Sequence, residues 1–134
     1  MNTEGFITTI RGLIADNTTL ALTDVYSPEL PQEKDNICAV TLVGGNPRYN
    51  LCGSSHIEQT FRVLIRGTIN DTTTRALADE IYTALDLQTD MVFDSNKIVQ
   101  ILAITTPIYI GKDENQRILY NITFKAILEW KEWY

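Results

Sequence analysis

Residues 117–130, RILYNITFKAILEW, hold the pattern that decides the fold. Apolar side chains, all of them large except that of Ala126, occupy every second position from Ile118 to Trp130, and mostly polar ones lie between them. This alternation predicts a strand with one buried face, since successive strand side chains point to opposite sides. Such a strand spans about 43 Å, whereas a globule of this chain length is roughly 36 Å across. We therefore expect it either to bend at a β-bulge or to run past its own domain and pair with a neighbouring molecule.

The composition indicates one soluble globular domain spanning residues 1–134. Hydrophobic residues make up 44% of the chain, charged residues 21%, and the net charge is −6. This acidic balance argues against a protein whose main task is to grip nucleic acid, because phosphate binding needs clustered Lys and Arg. The sequence shows no signal-peptide pattern and no apolar run of bilayer length, so we expect a soluble, cytoplasmic chain.

Periodicity elsewhere predicts two helices and three further strands. The helices are expected at residues 3–16 and 71–87, and the strands at residues 37–43, 57–68 and 98–110. The last strand is broken or bent at Pro107, which cannot donate a ladder hydrogen bond. Residues 20–25 could add a short strand, and residues 88–97 are expected to be a connection.

The resulting order, α-β-β-α-β-β, predicts the fold class. Short β-β connections favour antiparallel neighbours, and both helices can cover one face of the sheet. We therefore expect an α+β two-layer sandwich, with a mostly antiparallel or mixed sheet and two helices on one face.

Candidate catalytic and metal-ligating residues form no recognisable motif. His56 is the sole histidine and follows Ser54 and Ser55, so a small hydrolase using His56 is one alternative. The chain lacks a Gly-x-Ser-x-Gly elbow, a phosphate-binding glycine loop and zinc-ligand spacing. A polar loop histidine is the favoured interpretation, and we expect no enzyme activity, no cofactor and no metal site.

The last five residues carry an unusual set of aromatic side chains, Trp130, Trp133 and Tyr134. Chain ends usually fray, so such residues need a place to dock. They either pack onto the core of their own subunit or anchor a protein interface, where aromatic residues are enriched.

Three segments together carry a resemblance to a known family. They are Leu30-Pro31 followed by a strand ending GGNP at residues 44–47, Arg66-Gly67 followed by a helix with EIYTAL at residues 80–85, and PIYIGKDENQR at residues 107–117. In this order and spacing the chain resembles the bacteriophage minor capsid proteins of the tail-terminator and head-tail joining group. The resemblance covers almost the whole chain, and the third segment carries most of it.

The resemblance implies a function in virion assembly. Members are small α+β subunits that form a ring, usually a hexamer, on top of the tail tube, and they are not enzymes. It implies that the partners are further copies of the chain, the tail tube protein and the head-tail connector or stopper protein, while DNA passes through without specific binding. The location would be the neck or tail of the virion, assembled in the host cytoplasm. A head-completion or stopper protein of the neck is the alternative, and a monomeric binding module is a further one.

The resemblance also implies a set of contact residues. A hairpin contributing to a subunit or partner contact would comprise Gly111, Lys112, Asp113, Glu114, Asn115 and Arg117. The alternative is a plain surface turn. Arg66 would pair with an acidic group on a neighbour, or else be an ordinary exposed strand arginine.

Overall fold

A computed structural model describes residues 3–46, 55–93 and 96–130. This part of the chain contains two α helices, α1 at Thr3–Asn17 and α2 at Asp71–Leu85, and a 3-10 turn at Leu22–Asp24. Its seven strands are β1 at Val25–Tyr26, β2 at Ile37–Asn46, β3 at Ser55–Arg66, β4 at Thr89–Phe93, β5 at Asn96–Ala103, β6 at Ile108–Lys112 and β7 at Ile118–Trp130. The fold is therefore α+β, as the sequence predicts.

Strand β7 lies in the middle of one mixed sheet, whose strand order is β1-β2-β3-β7-β5-β4. On one side β3 pairs with it along its whole length, from Ser55 opposite Trp130 to Arg66 opposite Leu119. On the other side β5 and then β6 pair with it in succession. Between these two strands, the Ile104 N–H donates to the Thr123 carbonyl at 2.8 Å. Only β1 and β2 are parallel among the described strand pairs.

The pairing of β7 corrects one expectation from its length. Its partners on both edges are strands of the same chain, so the length of β7 does not require a neighbouring molecule. The partner strands β5 and β6 each contain a register shift where they pair with β7, at Ile98/Gln100 in β5 and at Tyr109/Gly111 in β6. Bulges of this kind bend and twist a strand locally. They lie in the partners of β7 and not in β7 itself, whose register with β3 is uninterrupted, so the expected bulge in β7 stays a prediction.

The predicted strand at residues 98–110 is wrong as a single element. It divides into β5 and β6, separated by residues 104–107. Pro107 lacks the N–H that a continuous ladder would need at this point. The predicted connection at residues 88–97 instead contains β4 and the start of β5, and residues 20–25 contribute only the first residue of β1. The order α-β-β-α-β-β therefore omits three short strands.

The core forms where the helices meet the sheet. The N-terminus of α2 is capped by Asn70, whose Oδ1 accepts a hydrogen bond from the Thr73 N–H at 3.3 Å. Fully buried side chains recur every four residues on α1, at Phe6, Ile10 and Ile14. These and the apolar stripe of α2 share one core cluster with the alternating residues of β7, namely Ile118, Tyr120, Ile122, Phe124, Ala126 and Leu128. The predicted alternation of β7 is thus confirmed.

Aromatic contacts join the two longest strands at the centre of this core. Phe61 of β3 stacks on Phe124 of β7, with ring centroids 5.3 Å apart and an angle of 17° between the planes. Phe6 of α1 meets Phe61 edge-on at 5.6 Å. Offset-stacked and edge-to-face rings are both favourable geometries, so the cluster fixes α1 against the middle of the sheet.

Replacing Phe124 with Ala tests this arrangement. The substitution removes a fully buried ring from the β3–β7 junction, and we expect it to lower the free energy of unfolding by about 3–5 kcal/mol. Urea denaturation followed by circular dichroism measures the change. Val92→Ala is the control, because Val92 is 71% exposed on β4. Equal losses in the two variants would show that the ring stack does not hold the junction.

Candidate assembly surface

The turn between β6 and β7 is organised by one carboxylate. The N–H groups of Asn115 and Arg117 both donate to Asp113 Oδ1 at 2.9 Å, and Arg117 Nε donates to Asp113 Oδ2 at 2.8 Å. Gly111 at the start of the turn has a φ of +123°, a backbone conformation that favours glycine. The turn is therefore held by its own side chains and does not need a partner to order it.

These hydrogen bonds decide the ionisation of Asp113. Partial burial raises the pKa of its carboxyl group, but the N–H donors of Arg117 and Asn115 and the Arg117 guanidinium outweigh that effect. The pKa of Asp113 is held below the ordinary aspartate value as a result. The carboxylate is thus a charged structural group at neutral pH.

Two buried arginines tie this turn to the loop before β2. Arg66 Nη2 donates to the carbonyls of Pro31 and Lys34, and Arg117 Nη2 donates to the Gln32 carbonyl at 2.6 Å. Arg66 and Arg117 are only 5% and 8% exposed. Burial, and then the neighbouring charge of Arg117, lower the pKa of Arg66. Charged donors to backbone carbonyls make strong hydrogen bonds, so the loop is clamped against the sheet.

The predicted contact residues therefore fall into two groups. Asp113, Arg117 and Arg66 have their side chains engaged within the subunit. Lys112, Glu114 and Asn115 are exposed, with Gly111 half-buried beside them. The role of this second group in a contact stays a prediction.

The predicted aromatic contact residues lie at the limit of the described chain. The backbone of Trp130 pairs with Ser55 at the end of β7. Its side chain, and the whole of Trp133 and Tyr134, lie outside the described residues.

Exposed apolar side chains line the strand that precedes the turn. They form what we call the β6 edge patch, consisting of Ile104, Ile108, Tyr109 and Ile110, which are 45–55% exposed. In the described part of the chain, β6 pairs only with β7. Several large apolar side chains exposed along an unpaired strand edge are typical of an interaction site. The sequence analysis missed these residues, although three consecutive large apolar residues after a proline break the alternation that a half-buried strand shows.

Contacts with β7 and α2 hold the β6 edge patch in place. The Tyr109 ring packs edge-on against Tyr120 of β7, with centroids 5.8 Å apart. The Tyr120 hydroxyl in turn donates to Asp71 Oδ1 at 2.7 Å, at the first turn of α2. The exposed strand is thus anchored through β7 to a helix, and its outward edge is preformed.

Of the residues of the alternative hydrolase site, the structure describes only the side chain of His56. It is exposed on β3 opposite Glu129, whereas Ser54 and the side chain of Ser55 lie outside the described residues. No group of three or more described His, Cys, Asp or Glu residues is placed to hold a metal ion. Within residues 3–46, 55–93 and 96–130, no helix is both long and apolar enough to cross a bilayer.

Comparisons with known proteins point to one family. The family model described as bacteriophage tail terminator protein matches residues 11–130. Among solved structures, the chain is similar to a chain in the virion of a native gene transfer agent particle, with 16% identity and a TM-score of 0.62. That likeness covers 90% of this chain and 84% of the other, and at this identity it shows a shared fold. Comparison with curated protein sequences finds no match.

Asp113→Asn tests the organisation of the turn. The substitution removes the negative charge that binds Arg117. We therefore expect the free energy of unfolding at neutral pH to be about 1–3 kcal/mol lower than that of the wild type. The lowered pKa of Asp113 contributes stability above the ordinary aspartate pKa, and this stability disappears as the pH falls through the folded value. The difference between the two proteins should therefore shrink below about pH 4.

Urea denaturation at several pH values between neutral and acid measures this difference. Glu114→Gln is the matched control, because Glu114 is the exposed carboxylate next to Asp113. A gap between Asp113→Asn and the wild type that stays constant with pH would contradict the assignment.

Proposed function

Because the chain belongs to the bacteriophage tail terminator family, we propose that it forms a ring that caps the tail tube and joins it to the head connector. The resemblance identified from the sequence is confirmed by the match over residues 11–130. The chain is a structural component of the virion tail or neck, and it is not an enzyme. The ring, its number of subunits and its named partners are the parts that we propose.

The β6 edge patch is the observation that carries the proposal. Most of the fold is completed within the chain, since both edges of β7 are paired and the aromatic core is closed. Among the described strands, β6 has an outer edge without a strand partner and exposed apolar side chains, and its Tyr109 ring packs against Tyr120 of β7. Contacts between different surfaces of identical copies generate rings when the rotation closes. We propose six copies, as the family resemblance implies.

A ring at this position needs a lumen that DNA can traverse. The net charge of −6 supports a channel that repels phosphate, so that DNA slides through without specific binding. We further propose that both helices cover one face of the sheet, because their buried residues join the same core cluster as the inward residues of β7. The other face of the sheet would then be available to the lumen or to a partner.

Electron microscopy of the purified protein mixed with tail tubes tests the proposed function. We expect the protein to bind at one end of each tube as a ring and to stop the addition of further tube subunits. Tube length against time, with and without the protein, measures the second effect. Binding to portal-bearing heads but not to tubes would overturn the proposal in favour of a head-completion or stopper protein. A protein that stays at 15.2 kDa with tubes and heads alike would overturn both.

Swapping the two exposed charges of the β6–β7 turn tests the predicted hairpin contact. Lys112→Glu combined with Glu114→Lys keeps the net charge and leaves Asp113 and Arg117 intact. We expect fewer capped tubes, because a charged rim sets the register of a contact. The control swap is Lys97→Glu with Asp90→Lys, an exposed ion pair between β5 and β4 whose charges are exchanged without changing the net charge. Normal capping of tubes by the Lys112→Glu, Glu114→Lys variant would show that the hairpin makes no such contact and is a plain surface turn.

A further inference from the structure

We propose that the β6 edge patch of one copy adds as an edge strand to the sheet of a second copy, at the open part of β2. This inference rests on the proposed ring and names the contact that closes it. The occupant of the patch is another molecule of the same chain, and the contact is heterologous, because β6 and β2 are different surfaces. Main-chain hydrogen bonds and apolar side chains would hold the two strands together.

The first argument comes from the way in which the other strand edges are protected. Proteins blunt exposed strand edges with short strands, charges, prolines or covering groups. β1 is only two residues long, and Arg11 Nε donates to its Val25 carbonyl at 2.8 Å. β4 is five residues long and has one charged side chain, Asp90, which pairs with Lys97 of β5 at 3.0 Å, beside one large exposed apolar side chain, Val92.

The β6 edge differs from these protected edges. Its first four residues, Ile108 to Gly111, are uncharged, and three of them are large and half-exposed. The bulge at Tyr109/Gly111 twists the strand, and all three side chains remain about half exposed. An edge that keeps this much apolar surface in water, next to edges that are protected, indicates a strand that is covered in the assembled state.

The second argument concerns the acceptor at the opposite side of the sheet. β1 pairs with only two residues of β2, Cys38 and Ala39. Next along this edge, Ser27 Oγ donates to the Val40 carbonyl and Thr41 Oγ1 donates to the Pro28 carbonyl. Among the described residues, the part of β2 with no strand partner on that side therefore begins at Leu42, next to Val43, which is 47% exposed. The two open edges lie on opposite sides of β7, with β3 and β2 on one side and β6 on the other. A head-to-tail contact between them continues the sheet from one copy to the next.

The third argument concerns charge and symmetry. Copies that each carry a net charge of −6 repel one another, so an interface built on uncharged strands avoids placing acid against acid. Pairing of β6 with another β6 would give a two-fold dimer and would use up the patch. A ring with one rotation axis requires two different surfaces at every contact. The ring geometry therefore favours β2 as the acceptor over a second β6.

Blocked variants test the contact in the full-length protein. Ile108→Lys with Ile110→Lys places two charges on the β6 edge, and Val43→Lys places one on the β2 edge. All three positions are half-exposed, so the variants should fold, which circular dichroism and the thermal midpoint verify. Ile69→Lys with Leu22→Lys is the matched control, because these apolar residues are 73% and 52% exposed and lie on neither edge.

We expect ring assembly to be lost to a different extent for each variant alone, for each variant mixed with wild type, and for the two variants mixed together. Each blocked variant alone should give about tenfold fewer rings on tail tubes, or lower still, while the control behaves as the wild type. Added to wild type, each should lower the ring yield, because its intact edge still captures a neighbour. Mixed with each other, the two variants should give dimers and nothing larger, as measured by native mass spectrometry.

The outcomes separate this contact from the proposed function. Rings formed normally by either blocked variant would overturn the contact and leave the tail terminator role intact. A β6-blocked variant that is inert towards wild type would also overturn it, because self-pairing of β6 predicts that behaviour. Wild-type protein that shows no association, with or without tubes, would overturn the contact and the proposed ring together.

Discussion

The pairing of β7 on both of its edges is the constraint on which the rest of the structure depends. β3 follows it along one side over twelve registered positions, and β5 and β6 share the other side. Because neither edge of β7 is free, a strand of another molecule cannot add to β7 itself. β3 and β5 are also paired on their far sides, with β2 and β4. β6 has no second strand neighbour in the described chain, so its outer edge is open.

Two charged residues of the β6–β7 turn, Asp113 and Arg117, make hydrogen bonds within the subunit, and so does Arg66 at the end of β3. The Asp113 carboxylate accepts the backbone N–H of Arg117 within the turn, while Arg66 and Arg117 donate to carbonyls of the loop before β2. Buried arginines with carbonyl and carboxylate partners fix geometry, and they are unavailable to a neighbour without breaking those bonds. Their effect on function is indirect, since they hold both the turn and the strand that leads into it in one position.

A shared fold at low identity follows from the same physics. The chain retains the fold of a virion chain with which it shares 16% identity. A strand pattern needs only apolar residues at alternate positions, and a core needs matching volume more than particular side chains. Family membership gives the structural role in the tail, whereas the surface residues that set the contacts of this chain must be found on its own structure.

The sequence by itself determined the fold class, the two helices and the buried face of β7. Each of these follows from local periodicity, such as the spacing of Phe6, Ile10 and Ile14 in α1. Tertiary structure decided that β5 and β6 share one edge of β7, and that Arg66 and Arg117 turn inward rather than outward. It also left Ile108, Tyr109 and Ile110 exposed. Such outcomes depend on partners distant in sequence, because a strand edge or a guanidinium is buried only when another segment of the chain reaches it.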